Sequence, residues 1–451
     1  MTGLELAGLG FFLMLGAIFL RMPIAIAMAI TGFVGSWIIR GNPNAVLSQM
    51  KSMSYDMFSS YSLSIIPLFL LMGQFATKSG MSKALFDAAS DWLGHRRGGV
   101  AMAAVGACAG FGAVCGSSLA TASTMGQVAL PEMRKRGYSD SLSTGVLAAG
   151  GTLGILIPPS VILVIYAILT EQNIVKMFLA ALIPGILAAL GYMAAVMIYV
   201  SLYPESATAA NRVPYRQRFS SLSKVWPVVL IFGLVMGGIA ADWNWSKSGV
   251  QALFTPTEGA AWGAVATGLY GLWTGGLNRE SFIDCILSTA SATAMIFLIL
   301  LGAQLFNSFL ALTQMPQVLA DWISGSGYAP LTVLLVMLVT YLIFGCVMDS
   351  LSMILLTIPI FFPIIEGLDF GMSAEATAIW FGILALIVVE VGLITPPVGM
   401  NLFIINSMAK DIPIQRTYHG VLPFLMSDIV RVAILIAFPA LSLWLPQYMF
   451  S

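Results

Sequence analysis

The sequence has little charge. Asp, Glu, Lys and Arg make up 9% of its 451 residues, where a soluble domain carries about 25%. That is too little to coat a water-facing surface of this size. Acidic and basic residues balance to a formal net charge of zero, so no positive excess points to a nucleic-acid partner. The two histidines, His95 and His419, both read as lying beside polar turns, and leave no pair for haem or a redox metal. The four cysteines, Cys108, Cys115, Cys285 and Cys346, sit in apolar runs without CxxC spacing. Cys108 and Cys115 are spaced to share a helix face, and all four read as packing residues. No nucleophile–base pair, zinc spacing or phosphate loop is visible, and paired acids are scarce. This argues against a membrane-embedded enzyme, and no cofactor is expected. The start, Met1-Thr2-Gly3-Leu4-Glu5, has no basic n-region and no cleavage site, so the first apolar segment reads as a retained span.

What the chain does have is apolar length. Hydrophobic residues fill 59% of it, in runs that approach the roughly 20 residues needed to cross a bilayer. Spans are expected near 4–20, 23–39 and 61–77, with a candidate hairpin at 98–133, a broken span at 140–171 and a span at 175–203. If the N-terminus is outside, most of the 20 lysines and arginines fall inside. Among them are Arg96, Arg97, Arg134, Lys135, Arg136, Arg212, Arg216 and Arg218. That bias places both termini outside. The stretches 43–59, 79–97 and 205–222 mix apolar and polar residues and read as helices lying in the interface.

The pattern occurs twice. Ser117-Ser118-Leu119, followed by Pro131, recurs about 232 residues later as Asp349-Ser350-Leu351, followed by Pro363. Met22-Pro23-Ile24-Ala25 corresponds to Thr255-Pro256-Thr257-Glu258 at a similar offset, and the latter also reads as a capping box that starts a helix. Gly154-Ile155-Leu156-Ile157-Pro158-Pro159 matches Gly392-Leu393-Ile394-Thr395-Pro396-Pro397. Five crossings and one hairpin per half is an odd count, so the second half enters upside down. The expected fold is an all-α membrane protein built as an inverted repeat, which is the pattern of a secondary transporter. The first repeat spans 1–203, with scaffold helices in 1–97, a hairpin and broken helix in 98–171 and a closing helix in 175–203. A connecting segment follows at 204–224. The second repeat spans 225–451, with scaffold helices in 225–311, a hairpin and broken helix in 328–409 and a closing helix in 420–447.

The Pro-Pro pairs point to binding. Two prolines in a row unwind an apolar helix, and Gly154 and Gly392 are read as permitting the turn. Unwound backbone at membrane depth is tolerated only where it lines protein or a wet cavity. Each break has a partner hairpin with a small, hydroxyl-rich middle, and hydroxyls with backbone carbonyls suit hard cations. Asp349 reads as the acid flanked on both sides by long apolar runs, and an intramembrane carboxylate is functional by default. Its structural alternative is to cap the second hairpin arm, which does not exclude ion contact. Two cation sites are therefore expected. One is at Ser117, Ser118, Gly154 and Pro158, the other at Asp349, Ser350, Gly392 and Thr395. Substrate is expected between them, at Ser160 and Asn401. The spacings Gly106-xxx-Gly110 and Gly150-xxx-Gly154 read as close helix contacts.

These blocks also carry a family resemblance. Gly116-Ser117-Ser118 through Pro131-Glu132-Met133 and Arg136-Gly137-Tyr138, the block Gly150 to Ser160, Phe178-Leu179-Ala180 with Pro184-Gly185, Phe254 to Glu258 and Thr395 to Gly399 resemble the DctM/SiaM large membrane subunits of tripartite ATP-independent periplasmic (TRAP) transporters. The match runs over nearly the whole chain. It implies an ion-transporter-superfamily fold of elevator type in the bacterial inner membrane, with sodium-driven uptake of a small organic acid such as a carboxylate, sugar acid or sulfonate. It places sodium, as coupling ion, where the hairpin tips meet the helix breaks. It implies two protein partners, a small four-helix membrane subunit of DctQ/SiaQ type and a periplasmic substrate-binding protein, and it makes this chain an unfused large subunit. The alternative is a stand-alone sodium-coupled carboxylate carrier or ion antiporter of the same superfamily. One stretch departs from the family pattern. Between Gly237-Gly238-Ile239 and the Phe254 block, 240–253 intervenes with two tryptophans. It reads as an interface anchor, or as a contact for the binding protein.

Overall fold

A computed structural model describes residues 2–240 and 254–450, and among these residues all regular structure is helical. The insertion at 240–253 therefore lies almost wholly outside the described residues. The first half begins with α1 (Gly3–Phe19), α2 (Ile24–Arg40), α3 (Pro43–Phe58), α4 (Ile65–Lys78) and α5 (Met81–Leu93). Thr2 and Glu5 close a capping box on α1. Asn42 caps α3, with Pro43 at its first position, where a missing N–H costs nothing. Next come α6 (Gly99–Cys115) and α7 (Ser118–Lys135), then α8 (Asp140–Leu156) and α9 (Val161–Leu169), and the long α10 (Ile174–Leu202). A short α11 (Tyr215–Leu222) leads into α12 (Trp226–Ala240). The rest is α13 (Pro256–Trp273), α14 (Arg279–Thr313), α15 (Met315–Gly325), α16 (Pro330–Gly345), α17 (Ser350–Glu366), α18 (Ala374–Gly392), α19 (Met400–Met408), α20 (Ile414–Ala437) and α21 (Ala440–Phe450). Thr255 and Glu258 form the capping box of α13. Five described helices are long and apolar enough to cross a bilayer, and two bent pairs reach that length together, α8 with α9 being bent by 46°.

In lipid, apolar burial gives helices little reason to associate, so close packing through small residues must do it. The glycines show where. α14 lies along α2, and a Cβ on Gly32 would come within 2.5 Å of the Leu305–Phe306 backbone, one on Gly302 within 2.4 Å of Ala25 O. α13 packs on α4, with Gly263 against Met72 and Gly268 against Phe75. These helices, with α1 and α12, form one packed group.

A second group holds both hairpins, and the two halves interlock in it. Within the halves, α6 and α7 pack on α8, and α16 and α17 on α18. Across the halves, α19 packs on α7 and α8, α9 on α17 and α18, and α20 on α8. Tyr166 of α9 donates to Ala378 O of α18 at 2.7 Å. Gly420 of α20 faces Gly145 and the Ser141 carbonyl so closely that neither glycine could bear a side chain without displacement. Ion pairs Arg134–Asp411 (2.9 Å), Arg416–Asp140 (2.8 Å) and Lys176–Glu375 (2.5 Å) tie the same two halves at their rims.

Three local readings change. The 205–222 stretch is α-helical only over Tyr215–Leu222, with a single 3-10 turn at Pro204–Ser206. Pro214 keeps the residue before it out of the helical region, and the preceding strip laces past the start of α8 and the end of α5 instead, with Ser139 N donating to Ser206 O and Ala210 N to Gly94 O, both at 2.9 Å. The stretch 420–447 is two helices rather than one. Pro439 cannot continue the ladder and Phe438 leaves the helical region. His419 lies inside α20, exposed, and not beside a polar turn.

Candidate functional site

The first tip is built by end-capping. α6 stops because Gly116 adopts a left-handed φ of 64°. Ser117 then caps α7 by accepting from Ala120 N at 3.4 Å. The tip rests on the break between α8 and α9. There Ile157 is extended, the Pro158–Pro159 bond is cis, and Ser160 caps α9 by accepting from Leu163 N at 3.5 Å. A Cβ on Gly154 would meet Thr121 Oγ1 at 2.4 Å and Ser117 O at 2.6 Å, and one on Gly116 would meet Pro159 O at 3.0 Å. So Ser117, Gly154 and the Pro158 break are in contact, with Ser118 buried beside them. Gly154 is not the turn residue read from the sequence. It lies within α8, and its missing side chain lets the tip approach.

The second tip repeats the arrangement. Asp349 caps α17, accepting from Ser352 N at 3.1 Å and from Ser352 Oγ at 2.5 Å. The capping alternative is thus realised, while the side chain stays half-buried. Gly345 stacks on Gly392, and Gly399 N donates to Cys346 O at 3.1 Å, which binds the tip to the break between α18 and α19. Gly399 has a φ of 64° and makes the turn that Gly392 was expected to make. Thr395 donates to Val391 O at 2.6 Å, so its hydroxyl oxygen keeps lone pairs for another partner.

The halves meet between the tips. Asn401 is fully buried, donates through Nδ2 to Ala148 O of α8 at 3.2 Å, and leaves Oδ1 without a partner. Thr121 Oγ1 is likewise buried and unbonded. Ser160, also buried, lies with its cap at the first break, and among the described residues no hydrogen bond joins it to Asn401. The helix starts of α7, α9, α17 and α19 and the helix ends of α6, α8, α16 and α18 gather at this level. Helix N-termini favour anions, and unwound carbonyls favour cations. An arrangement with both can hold an anion beside its counter-cation.

Glu390 was not singled out in the sequence. It lies in the last turn of α18, is fully buried, and accepts from Ser350 Oγ at 2.6 Å. Its signal was visible, since a lone acid inside Ile387-Val388-Val389-Glu390-Val391 interrupts an apolar run as Asp349 does. A second missed cluster is Arg431–Asp428 at 2.8 Å, with Tyr192 donating to Asp428 at 2.8 Å and Thr152 bonded to Tyr192 at 3.0 Å. Two cavities lie away from the tips. An apolar groove of about 890 Å³ runs between α10 and α20, and a polar cavity of about 610 Å³ lies between α5, α7 and α11. Neither reaches the residues that meet at the breaks.

Comparison with known proteins bears on this geometry. A family model described as the DctM component of the tripartite ATP-independent periplasmic transporter matches residues 11–441. The chain is 37% identical over 406 residues to a C4-dicarboxylate TRAP transporter large permease protein of Pseudomonas aeruginosa, covering 89% of this chain and 90% of that one. It is 29% identical to a sialic acid TRAP transporter large permease protein of Vibrio cholerae over 96% of each. In fold it is similar to the YdaH transporter of Alcanivorax borkumensis, with a TM-score of 0.60 at 15% identity, covering 89% of this chain and 90% of that one.

Proposed function

The chain belongs to the DctM family of large permease subunits of tripartite ATP-independent periplasmic transporters, and on that premise we propose that it carries a small organic anion across the bacterial inner membrane by sodium coupling and an elevator movement. It is a multi-pass membrane transporter subunit and not an enzyme. The observation that carries the proposal is the pairing of two hairpin tips with two helix breaks in one interlocked group. Tip one offers Ser117, Ser118 and the backbone around Gly154 and Pro158. Tip two offers Asp349, Ser350 and the backbone around Gly392 and Thr395. Oxygen donors of this kind suit sodium. The anion binds between them, where Ser160 and Asn401 and the helix starts supply polar groups. The interlock supports motion of both tips as one body against the α2–α14 and α4–α13 group. A small four-helix membrane subunit braces that group, and a periplasmic binding protein delivers the anion. Both termini lie on the periplasmic side, and the two halves have opposite orientation.

Asp349→Ala and Ser117→Ala test the cation sites. Each should weaken sodium-dependent uptake by the assembled system while the protein stays folded in the membrane. Uptake with an unchanged sodium dependence in both variants would remove the tips from the coupling site.

A further inference from the structure

The two hairpin tips converge on one carboxyl group. Glu390 projects from α18 between Ser350, the first residue of α17, and Ser118, the first residue of α7. Ser350 donates to Oε1 at 2.6 Å. Ser118 lies within interaction range of the same carboxyl, without closing a hydrogen bond of ordinary geometry on Oε2, which has no partner. The residue has 0% exposure. Charged groups facing it come from α20, Asp428 and Arg431, and these are paired with each other at 2.8 Å. The tyrosines of neighbouring elements are also engaged, Tyr166 with Ala378 O, Tyr192 with Asp428 and Tyr341 with Thr357.

A buried carboxylate with one neutral donor and no counter-ion is unstable as an anion. A small cation beside it supplies the missing counter-charge. We propose that Glu390, with the hydroxyls of Ser118 and Ser350, forms a buried sodium site between the tips. This rests on the transport reading above and deepens it. The site adds a position shared by both halves to the one at each tip. Because its ligands come from α7, α17 and α18, occupancy ties the two tips together. Emptying it leaves an unpaired charge between them. The occupied form therefore favours the two hairpins moving as a unit.

The test uses the purified full-length chain and radioactive sodium binding at fixed pH, with choline chloride holding the ionic strength. Wild type is compared with Glu390→Gln and, should that variant fold poorly, with Glu390→Asp. The proposal expects Glu390→Gln to bind one fewer sodium per chain, and Glu390→Asp, with its shorter reach, to raise half-saturating sodium about tenfold. Unchanged count and affinity in the variants would overturn the proposal while leaving the sites at the two tips standing. Should wild type bind no sodium at all, the sodium reading of the whole transporter falls, and this site with it.

Discussion

Gly112 of α6 and Gly154 of α8 touch backbone to backbone. A Cβ on Gly112 would lie 2.6 Å from the Gly154 Cα, and Gly345 and Gly392 repeat the contact at the other tip. Each hairpin is therefore seated on its broken helix through a glycine pair. Gly154→Ala would drive a methyl into Thr121 Oγ1 and the Ser117 carbonyl, at 2.4 and 2.6 Å. Overpacking of this kind costs about 1–3 kcal/mol. The control is Gly233→Ala in α12, where nothing lies within 4 Å and the better helix former should be neutral or mildly stabilising. Thermal unfolding in detergent should separate the two. Equal melting temperatures would show that the glycine seat is not tight.

The opposed orientation of the halves gives a labelling prediction. Lys135, at the end of α7, and Glu366, at the end of α17, are both exposed, and the four native cysteines are buried. Lys135→Cys should react with an impermeant thiol reagent from the cytoplasm and Glu366→Cys from the periplasm. Reaction of both from one side would contradict the inverted repeat.

The buried Asp428–Arg431 pair should be costly to break singly. Asp428→Leu leaves the Arg431 guanidinium without its counter-charge, and removing one partner of a buried pair costs about 3–5 kcal/mol. Replacing both, as Asp428→Leu with Arg431→Met, should lose much less. A double-mutant cycle on unfolding free energy measures the difference. Additive losses would mean that the pair is not coupled.

Much of this was legible because a membrane helix must be apolar for its whole length, so interruptions stand out. The Ser-rich tips, the Pro-Pro breaks and the capping box at Thr255 all interrupt apolar runs with residues whose backbone chemistry is specific. Contacts across the halves were not legible. Nothing near Tyr166 announces the Ala378 carbonyl, and nothing near Gly420 announces Ser141. Gly154 and Gly392 were correctly seen as special but given the wrong reason, since close approach and turning both select glycine. Glu390 was passed over for Asp349, although both are acids in apolar surroundings. The capping role of Asp349 was readable as an alternative, but only the fold places Glu390 between the tips.

At the rim, Asp411 accepts two hydrogen bonds from Arg134, at 2.9 and 3.0 Å, and these hold its carboxyl below the usual aspartate value of 3.8. A depressed folded pKa means that the contact contributes above the unfolded value and is lost as pH falls through the folded one. The melting-temperature difference between wild type and Asp411→Asn should therefore be small and constant above the usual aspartate range and fade as pH falls below it. A difference that grows as pH falls would contradict the pairing.

The tripartite, sodium-driven account is tested most directly by reconstitution. Place the chain in proteoliposomes with an imposed sodium gradient and supply the anion that its binding protein selects. The account predicts little or no uptake by the chain alone, and sodium-dependent uptake once the small membrane subunit and the loaded binding protein are added. Robust uptake of free anion by the chain alone would contradict it and make the protein a stand-alone carrier.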